Sequence, residues 1–423
     1  MKAKTQTLGA PVPPIWKDQV FWFVIAMGVG YGAVYNFLPA SFPAFTRQFH
    51  CSLAQLGQIQ LLFFLSSLGF SLVGGSIVAL LGLKRSAILS FAIAAGALLL
   101  IAESRYFVLV LIGAASFGFA ISAMVVIDSS IISGHFSQRR QSVFLITGLS
   151  DAGGSMIGPA MLGWWLANSM RWGLSWRVGY FAAAADMVAL IVWALFVRSS
   201  AMHGERSGRD AAGQKASSHT REILASGALY VAVVLGFCHG LAQAGMLSFV
   251  GQLYIIKLHV DAAHAAYFLS GNAAGILSGR LLFGWITAHW KIPELVVISI
   301  CAAAETAAFL GAILSSSYLV GLGMFVIAGI FVSTIGPSLN SYLGGKFAKG
   351  TATAFSLFAG LSNLGAAFGP FIIGVIGTDL GVGRGILFAP AFSTLLSAMA
   401  LLWFLRERAR SGTVEVSVSL LPG

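Results

Sequence analysis

Twelve long apolar runs divide this chain, and they leave it few ways to fold. They fall at 19–42, 54–80, 86–102, 106–130, 143–167, 178–197, 225–250, 265–287, 294–314, 318–342, 352–376 and 385–405. At about 1.5 Å of rise per residue, a helix of such length crosses the hydrocarbon core of a bilayer. Lipid offers a backbone no hydrogen-bond partners, so each spanning segment has to satisfy its own, and a helix does so within one segment.

Composition excludes the soluble alternative. Hydrophobic residues make up 57% of 423 positions and charged residues only 9%, against roughly 25% charged in a soluble domain. The net charge of +11 does not point to nucleic acid, because the basic residues sit in short breaks between apolar runs. Cys51, Cys238 and Cys301 are too scattered for a disulfide framework or a metal site. The run from Phe21 to Phe42 is longer than the core of a cleavable signal and lacks a small-residue cleavage site, so it is expected to stay as the first helix.

The Lys and Arg residues set an expected orientation. With the N-terminus inside, 19 of the 25 fall on the cytoplasmic side, and Arg47, Arg105, Arg171, Arg177, Lys257 and Arg384 fall opposite. The longest polar break, rich in Ser, Gly, Ala and charge, reads as a flexible cytoplasmic linker. The expected domains are therefore a six-helix half over 1–197, a linker over 198–224, and a second half over 225–423 with a short cytoplasmic tail. Trp164, Trp165, Trp172 and Trp176 crowd the outer end of the fifth run, as an interfacial aromatic belt does.

The most specific signal is an internal repeat. The fifth run reads Gly148-Leu149-Ser150-Asp151, then Gly154-x-x-x-Gly158-Pro159 and Gly163. The eleventh reads Gly360-Leu361-Ser362-Asn363, then Gly365-x-x-x-Gly369-Pro370 and Gly374. A lone G-x-x-x-G marks only a packing face, but an extended match at corresponding places in both halves marks a duplication. The expected fold is an all-α membrane protein with twelve transmembrane helices in two pseudo-symmetric six-helix halves. In such a fold the site lies between the halves near the midplane, and one half rocks against the other.

With these motifs, the chain resembles the major facilitator superfamily over nearly its full length. The loop from Gly75 to Arg85 resembles that superfamily's glycine-acid-basic motif, as does Gly284 to Lys291, although Ala79 and Ala288 stand where aspartate is usual. A looser similarity reaches the monocarboxylate-type branch, and more faintly the fucose-permease-like one. It rests on Phe37-Leu38-Pro39, Gln138-Arg139-Arg140 and Gly279-Arg280-Leu281-Leu282-Phe283-Gly284. The resemblance implies that Arg280 holds a substrate carboxylate; position alone equally allows an arginine snorkelling to the interface.

Ionisable and polar groups inside spans are costly and are the natural functional candidates. Asp151 is the candidate for proton coupling, and with Asn363 it forms a pseudo-symmetric pair; both residues equally suit a structural role at a helix contact. His239 and Gln243 stand one turn apart on one face of the seventh run, where His239 is a second proton-coupling candidate. Tyr31, Tyr35 and Asn36 in the first run, with His239, Gln243, Asn272, Arg280 and Asn363, are the substrate-binding candidates; Asn340 is a weaker one. Asp128, Arg139 and Arg140 suit a gating ion pair. Asp186 and Glu305 fall mid-span in helices that support the bundle from outside.

No nucleotide-binding loop is present, and no cluster of residues has catalytic spacing. The expected function is therefore a secondary active transporter and not an enzyme. Its expected cargo is a small organic solute, a monocarboxylate first and a sugar-like metabolite next, carried by proton symport through alternating access. An exporter of drugs or amphipathic metabolites, and a non-transporting membrane sensor, are the alternatives. The expected partners are the small-molecule substrate, protons and the lipid bilayer, with no nucleic acid, metal or cofactor. A monomer is expected in the cell membrane, a bacterial inner membrane, with both termini cytoplasmic.

Overall fold

A computed structural model describes residues 15–136, 139–169, 171–197, 224–290, 292–347 and 351–418. Twelve long helices carry the fold. In the first half they are α1 (Gln19–Tyr35), α2 (Leu53–Leu81), α3 (Leu83–Ala102), α4 (Phe107–His135), α5 (Arg140–Asn168) and α6 (Arg177–Phe196). In the second they are α7 (Gly227–Leu258), α8 (Ala262–His289), α9 (Glu294–Leu314), α10 (Tyr318–Lys346), α11 (Thr351–Leu380) and α12 (Phe388–Val418). Among the described residues ten spans are long and apolar enough to cross a membrane, and neither α5 nor α8 is one of them. These two have the length, at 29 and 28 residues, but their polar residues dilute the apolar character. They also form one of the two helix pairs that meet across the halves.

The first run departs from expectation. Its helix stops at Tyr35, and a separate turn, Phe37–Ala40, follows Asn36. The cause is Pro39, whose ring would collide with the carbonyl four residues earlier, that of Tyr35, if the helix continued. At the other breaks side chains satisfy free backbone amides. Ser52 and Gln55 form a reciprocal capping box at the start of α2. Asp261 caps α8 by accepting from the His264 amide at 2.8 Å.

The repeat dictates how each half is built. In the first half α1 packs on α5 and α2 on α4; in the second α7 packs on α11 and α8 on α10. A Cβ at Gly154 or Gly158 would collide with the carbonyls of Val29 and Ala33, and one at Gly365 or Gly369 with those of Phe237 and Leu241. The duplicated Gly-x-x-x-Gly thus lets two backbones touch in each half. α1 and α7 answer in kind. Gly32 lies against the Asp151 backbone and Gly240 against that of Ser362. The remaining helices lie outside, α3 against α6 and α9 against α12.

The halves join through α2 with α11 and α5 with α8. At the end remote from the linker the join is tight. Gly374 lies against the Leu53 carbonyl, Gly57 against Pro370, and Gly163 against Ala262 and Ala266. There the Ala54 amide also donates to Thr378 Oγ1 at 2.9 Å. Toward the linker end α2 and α11 still touch where Leu68 meets Gly360. One turn further on, Leu72 is 74% exposed. Contact between α2 and α11 therefore ends toward the linker end, while Arg280 of α8 still reaches the Gly148 carbonyl of α5.

Candidate functional site

Between the halves lies a cavity of about 230 Å³. Tyr35 and Asn36 reach it from the break after α1, and Gln60, Phe63 and Phe64 from α2. The second half contributes His239 and Gln243 from α7, and Ser362 and Asn363 from α11. Small residues on α7, notably Gly236 and Gly240, let α11 approach closely enough to bring Asn363 and His239 to one wall. Tyr35 meets Phe63 edge to face at 5.8 Å between ring centres, and Phe64 meets Phe63 similarly at 5.1 Å, giving an aromatic wall.

Among the described residues the lining mixes apolar and polar groups and is uncharged. It holds no Lys, Arg, Asp or Glu, and two of its polar atoms, His239 Nδ1 and Ser362 Oγ, are buried without a hydrogen-bond partner. Such atoms cost free energy unless a ligand or water satisfies them. Toward the end remote from the linker the space narrows to a crevice of about 10 Å³ between Pro39, Leu247, Ser248 and Gln252, about one water in size.

The charged candidates form a second cluster outside the cavity lining. Asp151 lies eleven residues into α5, because the helix begins at Arg140 and not at 143; that is about 16 Å from its start, deeper than the sequence suggested. Tyr31 lies within electrostatic reach of Asp128, Asp151 and Arg280, and Asp151 within reach of Asp128, Arg280 and the lining residue Tyr35. Arg280 Nη1 donates to the Gly148 carbonyl at 2.8 Å, crossing from α8 to α5. It does not line the cavity. Asp128 is 7% exposed, and its Oδ1 has no hydrogen-bond partner.

Other candidates lie elsewhere. Asn272 is buried and donates to the Phe325 carbonyl on α10 at 3.3 Å, so it serves a helix contact and is not in the lining. Arg139 precedes α5 as its cap residue. Asn340 is exposed near the end of α10. Asp186 on α6 lies beside Gly30 of α1. Glu305 on α9 is fully buried next to Ser393 of α12, far from the cavity lining. The side chains of Ala79, Arg140 and Ala288 lie outside the described residues. Sequence reading missed Gln60, Phe63, Phe64 and Ser362. Gln60 alone gave a signal, as an amide seven residues inside an apolar run.

Comparison with known proteins agrees with this architecture. A family model described as Major Facilitator Superfamily matches residues 23–353. No curated protein sequence matches. Among solved structures, a variant of the nucleoside transporter NupG is similar at 13% identity and a TM-score of 0.73, covering 91% of this chain and 99% of that one. A bacterial homolog of the human lysosomal transporter Spinster, inward-facing and unoccupied, is similar at 16% identity and a TM-score of 0.74, covering 93% and 97%.

Proposed function

Because the chain belongs to the Major Facilitator Superfamily, we propose that it is a secondary active transporter that moves a small organic solute by alternating access, driven by protons. One observation carries this reading: a cavity between two pseudo-symmetric halves that are tightly joined at one end and part toward the other. Rocking of the halves about that site exchanges which end is joined. We place the linker and both termini in the cytoplasm from the distribution of basic residues, which makes the present state inward-open, and take the working unit to be the monomer.

Asp151 is the proposed coupling group. It is a carboxyl inside a span, with Arg280 and Tyr31 as its neighbours. Proton binding there alters the charge on α5 at the place where α8 crosses it. The two groups of residues divide the work: solute at the cavity lining, proton at Asp151. A monocarboxylate cargo would depend on Arg280, whose Nη1 is engaged by Gly148 in this state. The cavity volume, below the roughly 300–1,000 Å³ of ordinary small-molecule sites, favours a compact solute over a bulky drug.

The test is uptake into proteoliposomes under an imposed pH gradient. Accumulation that collapses with a protonophore supports the proposal; a chain that neither accumulates nor exchanges any member of a broad solute panel is not a transporter.

A further inference from the structure

We infer that the cargo is an uncharged, ring-shaped solute bearing several hydroxyl or amide groups, an inference that rests on the transporter reading above. Three features of the cavity converge on it.

The first is charge. Among the described residues no Lys, Arg, Asp or Glu lines the cavity, and Asp151 and Arg280 lie outside the lining. An anion or cation entering this space would shed its hydration without a partner, at a cost that hydrogen bonds alone do not offset. In its neutral form the His239 imidazole offers the cavity one donor and one acceptor nitrogen.

The second is hydrogen-bond character. Gln60, Gln243, Asn363, Ser362 and His239 each donate and accept. A carboxylate only accepts and an ammonium only donates, so either would answer one kind of atom in these groups and leave the other kind without a partner. Hydroxyls and amides do both. The unpartnered His239 Nδ1 and Ser362 Oγ are places for them.

The third is shape. The Tyr35 and Phe63 rings supply one apolar wall, against which a flat or puckered ring lies with its edge groups turned to the amides of the opposite wall. A sugar ring and a heterocyclic base carrying hydroxyls share this chemistry.

The full-length chain is reconstituted and assayed by counterflow with labelled glucose, uridine, lactate and ethidium, with thermal unfolding of the purified protein as a parallel binding readout. Glucose or uridine is expected to exchange and to raise the unfolding temperature, and which of them does so separates a saturated ring from a base-bearing one. Exchange is expected to be insensitive to membrane potential, as for an uncharged cargo. Gln243→Leu and Asn363→Leu, judged folded by unchanged unfolding temperature without ligand, should each raise the half-saturation concentration about tenfold, the loss expected for a buried hydrogen bond. Gln243→Asn should restore part of it. Exchange of lactate or ethidium, with glucose and uridine inert, overturns the inference while leaving the transporter reading intact. If no probe exchanges and none shifts the unfolding temperature, both fall.

Discussion

Arg280 of α8 and Gly148 of α5 tie one half of the protein to the other: the guanidinium Nη1 donates to the glycine carbonyl at 2.8 Å, three residues before Asp151. A cation thus sits on the bridge between the halves, beside the carboxyl proposed to take up the proton.

Asp151→Asn keeps the size of the side chain and removes its charge. Accumulation driven by a pH gradient should fall to the level seen with no gradient, while exchange of solute across the membrane continues. Both are measured in the same proteoliposomes. Unimpaired accumulation in the variant leaves Asp151 a structural residue and makes His239 the next candidate.

Arg280→Gln retains a donor for the Gly148 carbonyl but removes the charge. If Arg280 acts on Asp151 electrostatically, the variant should lose pH-driven accumulation much as Asp151→Asn does. The double variant should then be no worse than either single one, since coupled residues are not additive. An Arg280→Gln protein with normal accumulation shows a brace and nothing more.

Close backbone contact makes a different prediction for the glycines. Gly158→Ala and Gly369→Ala push a methyl group into the carbonyls of Ala33 and Leu241, respectively, and each should cost about 1–3 kcal/mol. Gly153→Ala meets nothing within 4 Å and should be neutral or slightly stabilising. Thermal unfolding in detergent measures all three.

The joined end of the groove has its own test. Thr378→Val removes the acceptor of the Ala54 amide and should weaken that end by about 1 kcal/mol, roughly a fivefold shift toward states open there. Spin labels placed across this end would report the longer distance. An unchanged distance distribution assigns the hydrogen bond to helix capping alone.

Outside the membrane, Asp261 provides a pH-dependent contact. Partial burial pushes its carboxyl up, but hydrogen bonds from the His264 amide and ring outweigh this and leave it below the usual 3.8. A carboxyl lowered on folding contributes stability above 3.8 that is lost as pH falls below it. Asp261→Ala should therefore cost about 0.5–1 kcal/mol at neutral pH, and its deficit against the unmodified protein should shrink in acid, as thermal unfolding across pH will show.

Spans and the duplication were legible in the sequence because both are written in composition and spacing, which a bilayer enforces on every residue. The glycines of α5 and α11 announced themselves by repeating; their partners Gly32 and Gly240, embedded in small-residue runs, did not. Which way a side chain points was much less legible. Asn272 and Asn363 look alike as amides inside apolar runs, yet one bonds Phe325 and the other lines the cavity. A helix that is apolar all round carries no amphipathic stripe to fix its rotation, so Gln60 and Phe63 could be assigned only once the packing of α2 was known. The break at Asn36 was legible from Pro39 in principle, but the apolar run continues across it and hid the stop.

The separation of the uncharged cavity from the Asp151 cluster bears on how such a protein changes over generations. On the roles proposed above, replacements at Gln243 or Asn363 would alter what is accepted without touching the fuel, and replacements near Asp151 would alter the fuel without touching what is accepted. Selection can therefore retune diet and energy source one at a time, and an engineer can exploit the same modularity.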